Sequence, residues 1–472
     1  MSTELDDLFT ALSRQADALP IGTASQARRR GEQRRARSRA VLATTAAVVL
    51  ILTGVGVVNA KRHRGAEPIL PATTPTRVRG MTPVGSPVQP PAGQTFTSAR
   101  ISGTRVIGYT GSTVVALDAT TGRTVWTLPG LDATYRGVAT SENAVLLLRQ
   151  TGTSDEPTAP VTRVLEIHDP ATGAKRWELK HTSADQLVLH RDTLVRLVDG
   201  GRLEAYDLAT GQTRWVSRSD AVLVSGMRTE ADASEDADGG LLDPATGKVF
   251  PYRDDRVVTV TAPGRVVIRD IHTGKVRSAV QGRPEPQGLF AYEGMVYTEQ
   301  SGTEGRAIGT PSKIVYEPKP PWYLEAAFPC GHDRLCAYES SSETDMRLTM
   351  VDATTGQVLR TTTAVPLTGS TGVRLGHVMT SSGTGSGTAL YDESGQARYS
   401  DRGIGGFVDD GNALTLTRDA GDGRFTARGV SNIDFRAVTL GTMPEIAGRC
   451  DWTADLLTCP TQQGLYTWRF TR

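Results

Sequence analysis

Cysteine is scarce in this chain: four in 472 residues, too few for a disulfide-dense scaffold, and no two are adjacent. Lysine is nearly missing, with 7 against 45 arginines, a bias that accompanies a G+C-rich genome. Aromatic residues make up 6%. Neither charge sign dominates, since 52 basic residues face 51 acidic ones for a net charge of +1, which excludes a chain-wide polyanion binder. Long apolar runs are missing too, with one exception, so a polytopic membrane protein is excluded. What the chain has in excess is glycine, 50 residues, joined by 25 prolines. Such a chain turns often, and long helices do not dominate it.

The exception is residues 40–60, AVLATTAAVVLILTGVGVVNA, 21 positions without a charge. At about 1.5 Å per residue a helix of this length crosses the roughly 30 Å hydrocarbon core once. Residues 1–39 carry eight arginines, seven of them at 28, 29, 30, 34, 35, 37 and 39, while Lys61, Arg62 and Arg64 follow the run. That asymmetry predicts a cytoplasmic N-terminus, an uncleaved transmembrane helix and an exterior beyond it. A cleaved signal peptide is the rival expectation; the long leader and the Lys61-Arg62 pair speak against it. The arginine cluster is expected to set topology and contact anionic lipid rather than nucleic acid. Leu5, Leu8, Phe9 and Leu12 fall at helical spacing in the tail, as a surface-lying helix or a contact for a cytoplasmic partner would have them. Residues 61–96 are proline-rich and read as an extracytoplasmic linker. The net charge of +1 is therefore a basic anchor joined to an exterior in which residues 65–472 carry 41 basic and 46 acidic residues.

From about residue 97 a short pattern returns: ALDATTGRTVW at 116–126, IHDPATGAKRW at 167–177 and AYDLATGQTRW at 205–215. Weaker copies stand at 241–250, 268–277, 350–359 and 389–398. The aligned aspartates are Asp118, Asp169, Asp207, Asp243, Asp270, Asp352 and Asp392, with a degenerate copy expected within 285–330. Alternating β-branched flanks mark strands, aspartate accepts turn amides, and Gly122, Gly173, Gly211 and Gly356 supply the left-handed position of a hairpin bulge. Trp126, Trp177 and Trp215, four residues after glycine, offer flat faces for the next unit to cover. Units of 40–50 residues, each a small antiparallel sheet, indicate an all-β propeller over 97–472. Eight blades fit the length better than seven, with closure expected between a strand near 96–106 and the run 464–470.

The motif A-x-D-x-x-T-G-x-x-x-W resembles the tryptophan-docking repeat of the PQQ-like, quinoprotein-type β-propellers. Residues 116–126 and 205–215 fit at every fixed position, and 167–177 departs only at the first. The resemblance covers about four fifths of the chain and is specific for fold rather than function. It embraces calcium- and quinone-dependent alcohol dehydrogenases and also non-catalytic scaffolds such as the propeller lipoprotein of outer-membrane assembly. The short basic tail, single span and propeller together resemble membrane proteins of high-G+C, actinobacterial-type bacteria. The dehydrogenases use two adjacent cysteines at the quinone, and no Cys-Cys pair occurs here, so no catalytic residue carries over.

Of three pairings open to the four cysteines, the local ones, Cys330 with Cys336 and Cys450 with Cys459, suit hairpins in an oxidising compartment. His332 is the one histidine near them, too few for zinc. No nucleophile elbow, P-loop or H-E-x-x-H motif appears, and the seven histidines are scattered in sequence. The acidic stretch 232–240 and the glycine-rich 383–387 read as loops, and Pro318–Tyr323 as a connection packed on its neighbour. The expectation is a membrane-anchored propeller without enzyme activity, cofactor or metal, binding an extracytoplasmic protein, cell-wall component or small ligand. The alternative is a sensor signalling through its tail, and a quinone-dependent oxidoreductase is the least supported.

Overall fold

The computed structural model describes residues 76–472 apart from 133, 142, 151–159, 230–253, 300–302, 308–312, 343–344, 364–369 and 382–386. The tail 1–39 and the run 40–60 lie outside the described residues, as do the repeat copy at 241–250 and both expected loops but for Gly387. Among the described residues no helix is long and apolar enough to cross a membrane.

These residues form an all-β propeller. Its strands assemble into eight hydrogen-bonded sheets, seven of four strands and one of eight. The eight-stranded sheet is two four-stranded meanders joined by a short parallel pairing, Met227 with Ala291 and Arg228 with Tyr292. Eight sheets meet the count that the chain length favours, and nine meanders build them. In chain order the meanders cover 98–128, 135–182, 186–218, 221–281, 288–316, 323–363, 370–401 and 404–443; the ninth is 451–471 completed by Gly80–Pro83.

The core is divided rather than central, because each strand has two faces and each face meets a different neighbour. Adjacent residues show this: Leu147 packs with Ile107 and Val114 of the first meander, whereas Leu146 packs with Leu187 and Leu194 of the third. Each fully covered Leu or Ile contributes about 1.5–3 kcal/mol. Outermost strands are the exposed ones, and Val125, Val216, Val276, Ile314, Val358 and Leu359 all project there.

Closure differs from the sequence expectation in two respects. The proline-rich segment does not remain a spacer to residue 96: Gly80–Pro83 pairs antiparallel with Gly464–Thr471, Gly80 opposite Thr471 and Pro83 opposite Trp468. Proline is tolerated because this is the outer edge, where its missing N–H leaves no ladder bond unmade. Val78, Val84 and Phe96 are buried, so this stretch belongs to the propeller. The second difference concerns the strand near 96–106. Ser98–Ser102 is an edge strand of the first sheet and meets Arg449 through a parallel bridge instead of pairing with 464–470.

Candidate functional site

The repeated turn is built the same way each time. Asp118 Oδ1 accepts the amides of Thr120 and Thr121 at 3.0 and 2.9 Å, and Gly122 N donates to Asp118 O at 2.8 Å. Those hydrogen bonds, that from Thr121 first, hold the Asp118 carboxyl below its ordinary range. Asp169, Asp207, Asp270 and Asp352 repeat the pattern. Just before each turn the register slips by one residue, as between Ala116 and Leu117 or Ala205 and Tyr206.

Each tryptophan reaches from its own outer strand to the turn of the next meander. Trp126 Nε1 donates to Pro170 O at 3.0 Å, Trp177 Nε1 to Leu208 O at 2.9 Å, and Trp215 Nε1 to Ile271 O at 2.7 Å. The indole lies flat on the turn glycine. At Gly211, whose φ is 74°, a Cβ would come within 2.6 Å of the Trp177 ring. Glycine there serves both the left-handed backbone and the ring's approach.

Past the fourth meander the device changes. Arg360 occupies the tryptophan position after Gly356, and its aliphatic stem lies beside Gly395 while Nη1 donates to Ser394 Oγ at 3.3 Å. Ser431-Asn-Ile-Asp-Phe435-Arg436 is a further copy that the sequence pattern missed. Ser431 replaces aspartate and Phe435, at φ 58°, replaces glycine, yet Phe435 N still donates to Ser431 O at 3.0 Å. The 27-residue step from Asp243 to Asp270 also resolves: Asp243 lies outside the described residues, between Ala221–Arg228 and Arg256–Thr261 in sequence, and the turn of that meander is at Asp270. The degenerate unit expected in 285–330 is the fifth meander.

The cysteines pair as Cys330–Cys336 and Cys450–Cys459, all buried, each bridge joining the first two strands of a meander or the approach to them. Trp322 is half-buried beneath the Arg347 guanidinium, 3.9 Å from the ring centre, and Tyr323 is exposed. Fully buried Glu339 takes two bonds of 2.9 Å from Arg347 and another of 2.9 Å from Tyr316 Oη. A carboxylate so fully engaged joins the fifth meander to the sixth and has no oxygen free to act as a base.

One polar cluster has a different character. His190 and His272, 82 residues apart in sequence, come together between the third and fourth meanders with ring centres 5.3 Å apart. His190 is buried, and its Nδ1 lies 3.0 Å from Asp192 Oδ1. His272 Nδ1 lies 2.9 Å from Arg214 Nη1, and its Nε2 lies 3.3 Å from Asp255 Oδ1. Arg214 also holds Asp192 at 3.1 Å and Asp207 at 2.7 Å. Burial, the largest influence, lowers the affinity of His190 for a proton, and Asp192 opposes it. For Asp192 burial works upward, but hydrogen bonds from Thr193 and His190 and the charge of Arg214 bring its carboxyl to about 2. In sequence the seven histidines are scattered. The fold gathers two of them because His190 sits in a strand-to-strand turn and His272 in the repeat turn that Trp215 covers.

Fold and turns together define a β-propeller of tryptophan-docked repeats. Residues 110–285 match the family model described as outer membrane protein assembly factor BamB, so this stretch consists of PQQ-like β-propeller repeats. No curated protein matches the chain. Among solved structures, the chain is similar to a eukaryotic initiation factor at 10% identity and TM-score 0.50, covering 82% of this chain and 92% of that one. It is also similar to BamB from Moraxella catarrhalis, at 14% identity and TM-score 0.41, over 83% of this chain and 100% of that one. At these identities the structural likeness concerns the fold alone.

Proposed function

We propose that the chain is a non-enzymatic propeller, anchored in the cell membrane by residues 40–60, that serves outside it as a binding or assembly scaffold. The observation that carries this reading is the match of residues 110–285 to an assembly-factor family. Supporting it, the motif residues are spent on construction: aspartates on turn amides, glycines under indoles, tryptophans on neighbouring carbonyls. Two buried disulfides suit an oxidising exterior, and the arginines ahead of residue 40 suit a cytoplasmic N-terminus. The ligand is an extracytoplasmic protein, a cell-wall component or a small molecule. Crosslinking intact cells with a membrane-impermeant reagent, followed by mass spectrometry, should label the propeller and recover an envelope partner. A propeller shielded from the reagent would falsify the topology, and loss of function on a single-residue change that preserves folding and partner capture would favour an enzyme.

A second reading rests on Leu5, Leu8, Phe9 and Leu12, an apolar stripe in the cytoplasmic tail. Deleting residues 1–25 separates the two. A scaffold keeps its envelope phenotype, and a sensor loses it.

A further inference from the structure

His190 Nε2 is buried and has no hydrogen-bond partner among the described residues. Its Nδ1 faces Asp192, so a neutral ring carries its proton there and presents a lone pair from Nε2. A carboxylate stands beside that nitrogen: Asp255 Oδ1 is 3.6 Å away, and the same oxygen is 3.3 Å from His272 Nε2. A buried nitrogen lone pair opposite a carboxylate oxygen is unfavourable unless a proton or a metal cation lies between them.

From this geometry we propose a zinc-class divalent metal site formed by His190 Nε2, His272 Nε2 and Asp255, joining the third meander to the fourth. In a tetrahedral zinc site with bonds of about 2.0–2.1 Å, ligand atoms lie about 3.3–3.5 Å apart, close to both separations found here. Asp192 orients His190 from behind, the usual outer partner of a metal-bound imidazole. His272 changes tautomer on binding, moving its proton to Nδ1, where Asp192 Oδ1 stands 3.7 Å away. Arg214 yields that nitrogen and keeps its bonds to Asp192 and Asp207. The side chains of His272 and Asp255 are 34% and 38% exposed, which leaves a path of entry. A fourth position remains for water or for a donor from a bound partner.

The test uses the full chain purified in detergent, stripped with chelator and titrated with zinc, with cobalt as a spectroscopic stand-in. One equivalent of zinc per chain is expected, with a rise in Tm reversed by chelator and a visible ligand-field band from cobalt. His190→Gln and Asp255→Asn should each weaken binding at least tenfold, whereas His377→Gln should not change it. Asp255 is partly exposed, so its variant checks the site where loss of His190 disturbs folding. The proposal is overturned if the wild-type chain binds no more zinc than Asp255→Asn. It is equally overturned if the histidine resonances show that a proton on His190 Nε2 fills the gap at neutral pH.

Discussion

Two stretches of the same propeller hold their neighbours by different means. From the first to the fourth meander, tryptophans bridge consecutive turns: Trp126 to Pro170, Trp177 to Leu208, Trp215 to Ile271. From the sixth meander onward Arg360 lies beside Gly395, and the Arg398 guanidinium sits 5.5 Å from the centre of the Phe435 ring. The second stretch also contains both disulfides. The repeat therefore requires a turn of fixed backbone geometry, while what covers that turn is exchangeable. The stretch whose repeat turns are covered by indoles is also the one that the family model matches, residues 110–285.

The strongest way to break this comparison is to remove an indole and its replacement side by side. Trp215→Ala, at a nearly buried position, should cost about 3–5 kcal/mol in denaturant unfolding, and Arg360→Ala less than about 1 kcal/mol. Equal losses would show that both stretches are held alike. Next in size is the glycine beneath. Gly211→Ala combines a left-handed backbone with a ring in the way and should lose about 2–4 kcal/mol. Gly395→Ala, with only flexible Met350 and Arg360 atoms at 3.3–3.4 Å, should lose about 1–2 kcal/mol.

Replacing Cys330 and Cys336 together by alanine should cost about 2 kcal/mol, as expected for so short a loop, and the effect should appear first in hydrogen exchange of the sixth meander. Acid has the smallest effect and acts on the other stretch. The carboxyls of Asp192 and Asp270 are both brought to about 2, Asp192 as described and Asp270 against its burial by the hydrogen bond from Arg277. Their contribution is present above the unfolded value near 4 and is lost as pH falls through about 2. Between those limits, amide protection should decline around 190–193 and 270–275 before it declines around Asp419. Uniform loss would sink that distinction.

The sequence made the strands, the turn chemistry and the tryptophan faces legible because a hairpin bulge needs particular residue types within eleven positions. Ser431 with Phe435 escaped notice because a hydroxyl can replace a carboxylate as acceptor, and a phenylalanine can hold positive φ when the turn demands it. Strand Gly80–Pro83 was hidden by proline, whose usual meaning reverses at an outer edge. The histidine cluster lay beyond any local pattern. His190 and His272 meet through the packing of two meanders, and no spacing rule joins residues so far apart.

Gly80–Pro83 has a consequence in time as well as in space. It is among the first parts of the propeller to leave the ribosome, yet its partner Gly464–Thr471 is among the last. Throughout synthesis that early strand waits with its backbone groups unpaired while sheet after sheet forms behind it. The ring latches only when the two ends of the propeller meet, so a chain released early is left with an open seam that quality control can recognise.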